Sequence, residues 1–273
     1  MRNVIVISFL GAVGMMQAGN LLPGGDFECA EAVRNTRLET KLVHSGTASL
    51  AIVYDMYMFP ELILLDPSKT YRLSGWFRSL AADKPSGIIL TIRYYDSAKR
   101  PITPWSVQPA GSSLSTLASG AKAGDRQVLV KHSDWKTVGD PSPGSLVIAF
   151  DAREDESDLP NLSAIPLTDI QEQGDVYRIS LVQPLDADYP VGTKVRQHRY
   201  RDYPWAYDKD SPLGTDWRQY SLTVGPRAVP GNAVQNFLWK GAVYARVAIL
   251  TRNMKRENGP VLLADDIRLE IVD

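Results

Sequence analysis

The sequence predicts an all-β protein, an antiparallel β-sandwich of jelly-roll type with long loops. Three observations carry this reading. Short segments rich in β-branched and aromatic residues recur along the whole chain. Clusters of Pro, Gly, Asp and Ser, such as DPSKT, DPSPGS and VGPRAVPGN, separate them. No window of a dozen residues has a clear helical period. Many short strands without intervening helices are the pattern of sandwiches and barrels.

Residues 1–18, MRNVIVISFLGAVGMMQA, place Arg2 before an apolar stretch and then small residues up to Ala18. That layout predicts a secretory signal peptide cleaved after Ala18. The apolar run is shorter than the roughly 20 residues a membrane-spanning helix needs. Residues 19–273 are expected to form one domain, exported to the extracellular space or periplasm.

The expected strands follow in order: SLAIVY (49–54), TYRLSGWFRS (70–79), GIILTIRYY (87–95), RQVLV (126–130) and SLVIAF (145–150). VYRISLV (176–182), DWRQYSLTV (216–224), VYARVAIL (243–250) and VLLADDIRLEIV (261–272) complete them. PLTDIQEQG (166–174) is the best helical candidate, at one or two turns. Stretches 96–125, 151–175 and 184–215 read as long irregular loops, a class that is usually functional or disordered.

Composition removes several function classes. With 30 basic and 31 acidic residues the net charge is -1, so neither nucleic acid nor membrane insertion is implied. A single Cys excludes disulfides within the chain and a cysteine-based zinc site.

NLLPGGDFE (20–28), HSGTASLAI (44–52), TYRLSGWFRS, DWRQYSLTV and VLLADDIRL (261–269) occur in that order. The series resembles the carbohydrate-binding modules of the galactose-binding-like jelly-roll superfamily, the type attached to bacterial xylanases and cellulases. Those modules start Asn-Leu-x-x-Asn-Gly-x-Phe-Glu, continue with Ser-Gly-x-x-Ser-Leu and end in a strand carrying Asp-Asp. The resemblance spans nearly the whole chain after residue 18 but says little about the long loops. It implies that the first turn and the last strand are neighbours tied by a structural calcium.

Calcium takes six to eight oxygens from carboxylates and from carbonyls in tight turns. Asp26, Glu28, Asp265 and Asp266 supply the carboxylates here, and the turn around Gly46 supplies carbonyls. In a regular strand Asp265 and Asp266 point to opposite faces, so only one, Asp265 by preference, is expected beside Glu28. The competing reading is that these acids are solvated turn residues.

Sugar recognition needs flat apolar rings with planar polar groups alongside. RYRDYPWAYD (199–208) is the densest such stretch, with Tyr203, Trp205 and Tyr207 as ligand candidates. Trp105, in PITPWSVQP, is another. Such rings also pack beneath long loops as small satellite cores. Trp76 and Arg78 share one face of their strand, and if Phe77 faces the core they line a cleft on the other side. Trp135, Trp217 and Trp239 read as packing residues.

Lys194, Arg196, His198 and Tyr200 fall on one side of a possible strand at period two. A polysaccharide lyase would use such a set to neutralise a uronate and move protons, but a charged edge strand explains it equally. DAREDESD (151–158) lacks the glycine and ligand order of an EF-hand loop. Asn161-Leu162-Ser163 is a glycosylation sequon.

The expected function is therefore a secreted, non-catalytic protein that binds a polysaccharide or oligosaccharide, acting alone or beside a separate glycan-degrading enzyme. Two alternatives stand: a polysaccharide lyase or glycoside hydrolase with its site in the loops, and a structural extracellular interaction domain.

Overall fold

The computed structural model describes residues 19–28, 37–52, 56–80, 87–135, 146–199, 203–206, 213–226, 236–252 and 262–272. Its strands are β1 (Arg37–Glu39), β2 (Ser49–Ile52), β3 (Met56–Met58), β4 (Ile63–Leu64), β5 (Tyr71–Ser79) and β6 (Gly87–Tyr95). Next come β7 (Pro101–Ile102), β8 (Ser115–Thr116), β9 (Gln127–Lys131), β10 (Leu146–Phe150), β11 (Ile165–Gln173) and β12 (Val176–Leu181). The last are β13 (Lys194–Arg199), β14 (Trp205–Ala206), β15 (Arg218–Val224), β16 (Tyr244–Arg252) and β17 (Leu262–Ile271). A 3-10 turn at Pro104–Ser106 interrupts them, and no α-helix occurs among the described residues.

Two antiparallel sheets face each other. One has the order β1-β2-β17-β5-β15, and the other β14-β6-β16-β3. Alternation along each strand explains why they pair. Leu73 and Phe77 of β5 and Leu262, Ala264 and Leu269 of β17 turn inward, against Ile88, Leu90, Ile92 and Tyr94 of β6. Val247 and Ile249 of β16 join the same cluster. These side chains are essentially removed from water, each stabilising the fold by roughly 1.5–3 kcal/mol. The chain is thus an all-β sandwich, as its strand pattern predicts.

The third sheet has the order β8-β13-β10-β11-β12-β9. A bridge between Leu117 and Val130 joins its two ends, so it curls round its own interior. Val130, Ile148, Phe150, Ile165, Ile179 and Val195 fill that interior as a cluster separate from the sandwich core. The expectation of one core is corrected to two. The long stretch between β7 and β14 carries enough inward-facing apolar residues to bury them by itself.

Two local expectations are also corrected. Residues 166–173 are strand, not helix, and Gly174 begins the turn that follows. A register shift between Leu167 and Asp169 puts the inward residues Leu167 and Ile170 three apart, which imitates helical spacing. Residues 194–199 are not an edge strand either, because β13 pairs with both β10 and β8. Arg196, Gln197 and His198 are buried there, and Tyr200 lies outside the described residues.

Candidate functional site

The opening segment is pinned to the last strand. Asn20 Oδ1 accepts hydrogen bonds from Leu22 N and Leu269 N, both at 3.0 Å, and its side-chain amide donates to the Ile267 carbonyl at 3.2 Å. The Ile267 amide donates to the Gly25 carbonyl at 2.8 Å. Gly25 sits so close that a Cβ there would lie 2.0 Å from the Ile267 carbonyl oxygen. The turn is tight because only a glycine backbone can approach that strand.

Glu28 reaches across to the turn at 44–48. Its carboxylate accepts from Thr47 N at 2.9 Å, Thr47 Oγ1 at 2.5 Å and Ala48 N at 3.2 Å. The Thr47 hydroxyl and amide hold the Glu28 carboxyl below its ordinary range. Gly46 has φ +62, and a Cβ there would lie 2.2 Å from the Glu28 carboxylate. Asp26 lies on the same segment, and its Oδ1 accepts from Glu28 N at 3.4 Å.

Asp265 and Asp266 do not point to opposite faces. A bulge between Asp265 and Arg268, with Asp266 at φ 47, breaks the alternation and brings both carboxylates onto the same turn. Asp265 Oδ2 accepts from His44 N at 2.9 Å and Ser45 N at 3.3 Å, while its Oδ1 accepts from Asp266 N at 2.8 Å. Asp265 is 0 % exposed, and burial outweighs those bonds to raise its carboxyl. Asp266 Oδ2 meets His44 Nδ1 at 2.9 Å and Ser45 Oγ at 2.8 Å. Burial pushes Asp266 up too, but Ser45, His44 and Arg268 outweigh it and leave it low.

These carboxylates therefore close the clip through hydrogen bonds from the turn. Among the described residues no three His, Cys, Asp or Glu side chains are grouped to hold a metal ion. The turn offers Glu28 and Asp265 N–H donors, where calcium needs oxygens.

Two outer faces flank the sandwich core. Phe77 faces inward, so Trp76 and Arg78 lie on the outer side of the five-stranded sheet. A groove of about 510 Å³ runs there, bordered by Trp76, Gln219, Ser221, Arg72 and Arg268. Its charges are matched: Arg72 pairs with Glu270 at 2.8 Å, and Arg268 with Asp266 at 3.4 Å. Trp76 is covered by the His44 ring, stacked 4.0 Å away. Arg78 lies over Trp217 at 5.9 Å, and its Nε is buried without an acceptor.

The outer face of the four-stranded sheet is different. Cross-strand pairing sets out rows: Trp205, Thr91, Ala248 and Met58; then Arg93 and Arg246; then Tyr95, Tyr244 and Leu64. Ile89, Leu250 and Met56 form a further row. Trp205 is 37 % exposed and Leu64 67 %. The Arg93 guanidinium lies over the Tyr203 ring at 4.9 Å, and that of Arg246 over Tyr95 at 5.4 Å. Tyr203 also stacks on Trp239, at 5.1 Å between centroids, so it is half buried against the core.

Of the sugar candidates, then, Trp205 and Tyr203 share this second face, Trp76 and Arg78 the first, and Tyr207 lies outside the described residues. Trp105 belongs to neither. It is half buried, and its carbonyl oxygen bonds His198 Nδ1 at 2.6 Å. Sequence reasoning searched the loops for aromatics and passed over Arg93, Tyr95, Tyr244 and Arg246 because they sit in strands. Their signal was the period-two pairing of Arg with Tyr in RYY and YAR.

Arg196 and His198, the described and buried members of the set that lyase chemistry would use, form a structural junction. Arg196 donates from Nε to His198 Nε2 at 3.1 Å, from Nη1 to the Arg153 carbonyl at 2.9 Å and from Nη2 to Asp158 at 2.8 Å. His198 is 0 % exposed. Burial, aided by Arg196, drives its pKa down to about 4 against the opposing Trp105 carbonyl. Accepting at Nε2 fixes it as the neutral Nδ1–H tautomer. A solvent-shielded imidazole with both nitrogens engaged is not poised to move a substrate proton. Asn161, of the sequon, is buried here as well, donating to the Phe150 carbonyl at 2.7 Å.

No known protein-family model matches the chain, and no curated protein does. No helix among the described residues is long and apolar enough to cross a membrane.

Proposed function

We propose that the protein is a non-catalytic carbohydrate-binding protein and that the outer face of the β14-β6-β16-β3 sheet is its ligand surface. One observation carries the reading: this face sets an exposed tryptophan and partly exposed tyrosines beside planar arginines on one rigid sheet. Rings present the flat apolar surface that the C–H face of a pyranose needs, and guanidinia supply donors for its hydroxyls. Strands hold such groups more precisely than loops. The other outer face is weaker as a sugar site, since His44 already covers Trp76.

In this reading the protein is exported, binds a polysaccharide and works alone or beside a glycan-degrading enzyme. A structural calcium held by Glu28 and one of Asp265 or Asp266 stays part of the proposal on the resemblance of the opening turn and last strand, since the described acids do not form a group of three around an ion. The hydrogen bonds already closing that turn make the ion an addition rather than a requirement. The test is a glycan-array screen followed by calorimetry, alongside an assay for reducing-end and unsaturated products. Binding without product release supports the reading; turnover of any glycan replaces it with an enzyme.

A further inference from the structure

Arg93 and Arg246 stand directly opposite each other on neighbouring strands. Like charges in that position repel and destabilise a sheet. Neither has an acidic partner among the described residues, and the Nε of each is buried without a hydrogen-bond acceptor. An unsatisfied buried donor costs about 1–3 kcal/mol, more when charged. The tyrosine rings beneath them offset part of that cost through cation–π attraction, but a ring supplies no lone pair to an N–H. Lys99, 5.9 Å over the Tyr244 ring, adds positive charge to the same face. Asp96 is already committed to Arg100 at 2.8 Å, and Glu61, in the segment joining β3 and β4 beside β16, keeps one carboxylate oxygen buried without a partner. Among the described residues no carboxylate pairs with Arg93 or Arg246, although the whole chain is nearly neutral.

We propose that this pair is the specificity element of the sugar surface and that the ligand is an acidic glycan, a uronate polymer whose carboxylate sits between Arg93 and Arg246. The inference rests on the carbohydrate reading above and narrows it to a substrate class. A carboxylate is planar and accepts two N–H donors from a guanidinium, so one group answers both arginines. Its pyranose ring then reaches the neighbouring rows, Tyr95 and Tyr244 on one side and Trp205 on the other. A bound carboxylate also screens the repulsion between the opposed Arg93 and Arg246, so affinity draws on relief of that cost.

Calorimetry with homo-oligouronates, their methyl esters and a sulfated oligosaccharide of equal length tests this. The uronate is expected to bind at least tenfold more tightly than its ester, and the difference to shrink between about 50 and 500 mM salt as screening grows. Arg93→Gln and Arg246→Gln should each weaken uronate binding about tenfold. The double variant should lose the preference for acid over ester while its melting temperature stays level or rises, because two repelling charges are gone. Equal affinity for acid and ester overturns the inference and leaves the carbohydrate reading standing, and so does tighter binding of the sulfated probe. A preference that survives in the double variant, or a melting temperature that falls sharply, overturns it also. Failure of every oligosaccharide to bind removes both.

Discussion

On the five-stranded sheet, Arg72 and Arg268 each lie against a carboxylate, whereas on the four-stranded sheet Arg93 and Arg246 lie against tyrosine rings and beside each other. Both faces belong to one sandwich and sit over one core. The first uses polar groups to hold the chain: His44, Ser45, Asp265 and Asp266 tie an early turn to the last strand. On the second, Arg93 and Arg246 have no carboxylate partner among the described residues. Arg78 on the first face also has a buried, unpaired Nε, but it stands alone over Trp217, whereas Arg93 and Arg246 are set directly opposite each other.

The largest effect should come from Asp265→Ala on the structural face. It removes a buried acceptor from three part-buried backbone N–H groups, at a cost of about 3 kcal/mol. Urea unfolding should report that loss, with glycan affinity per folded molecule unchanged. A loss of affinity without a loss of stability would reverse the assignment of the two faces.

Acid should have an effect almost as large. His198 is neutral in the fold with a pKa of about 4, against an unfolded value near 6.5. Between those values the unfolded chain binds the extra proton, so stability falls as pH drops from about 6.5 to about 4 and this contribution then levels off. The full loss approaches 3 kcal/mol as an order of magnitude. Burial pushes the Asp158 carboxyl up, but hydrogen bonds from Asn161 and the Arg153 amide, with Arg196 beside it, outweigh that and hold it low, so its contribution is lost only at still lower pH. His198→Gln should flatten the slope between pH 6.5 and 4; an unchanged slope would show that another group carries it.

Trp205→Ala is expected to cost about 1–2 kcal/mol of binding, roughly tenfold in affinity, with an unaltered melting curve. Trp76→Ala should do the opposite, lowering the melting temperature by removing the ring against which His44 stacks while sparing affinity. If both variants bind normally, neither outer face holds the sugar.

The smallest effect concerns calcium. With a dissociation constant near 1 mM, typical of extracellular modules, an ion bound only by the fold adds about 0.4 kcal/mol at 1 mM and about 1.4 kcal/mol at 10 mM. A melting temperature indifferent to 10 mM calcium and to strong chelation would leave the hydrogen-bonded clip as the whole staple.

Much of this was readable from the residues. The period-two runs and their punctuation specify strands, because inward apolar side chains must alternate with outward ones whatever the sheet order. Phe77 between Trp76 and Arg78 was enough to send the latter two to an outer face. Asn20, Gly25 and Glu28 announced a tight, acid-bearing turn. Tertiary structure decided the rest. The bulge at Asp266 cannot be seen in DDIR, because it arises only when β17 must pair with β5 and accept the opening turn together. Which polar residues are buried depended on partners far away in the chain: His198 meets Trp105, and Arg196 meets Asp158. The isolation of Arg93 and Arg246 is likewise a fact of register. Sequence supplies two arginines more than a hundred residues apart; only strand pairing sets them side by side.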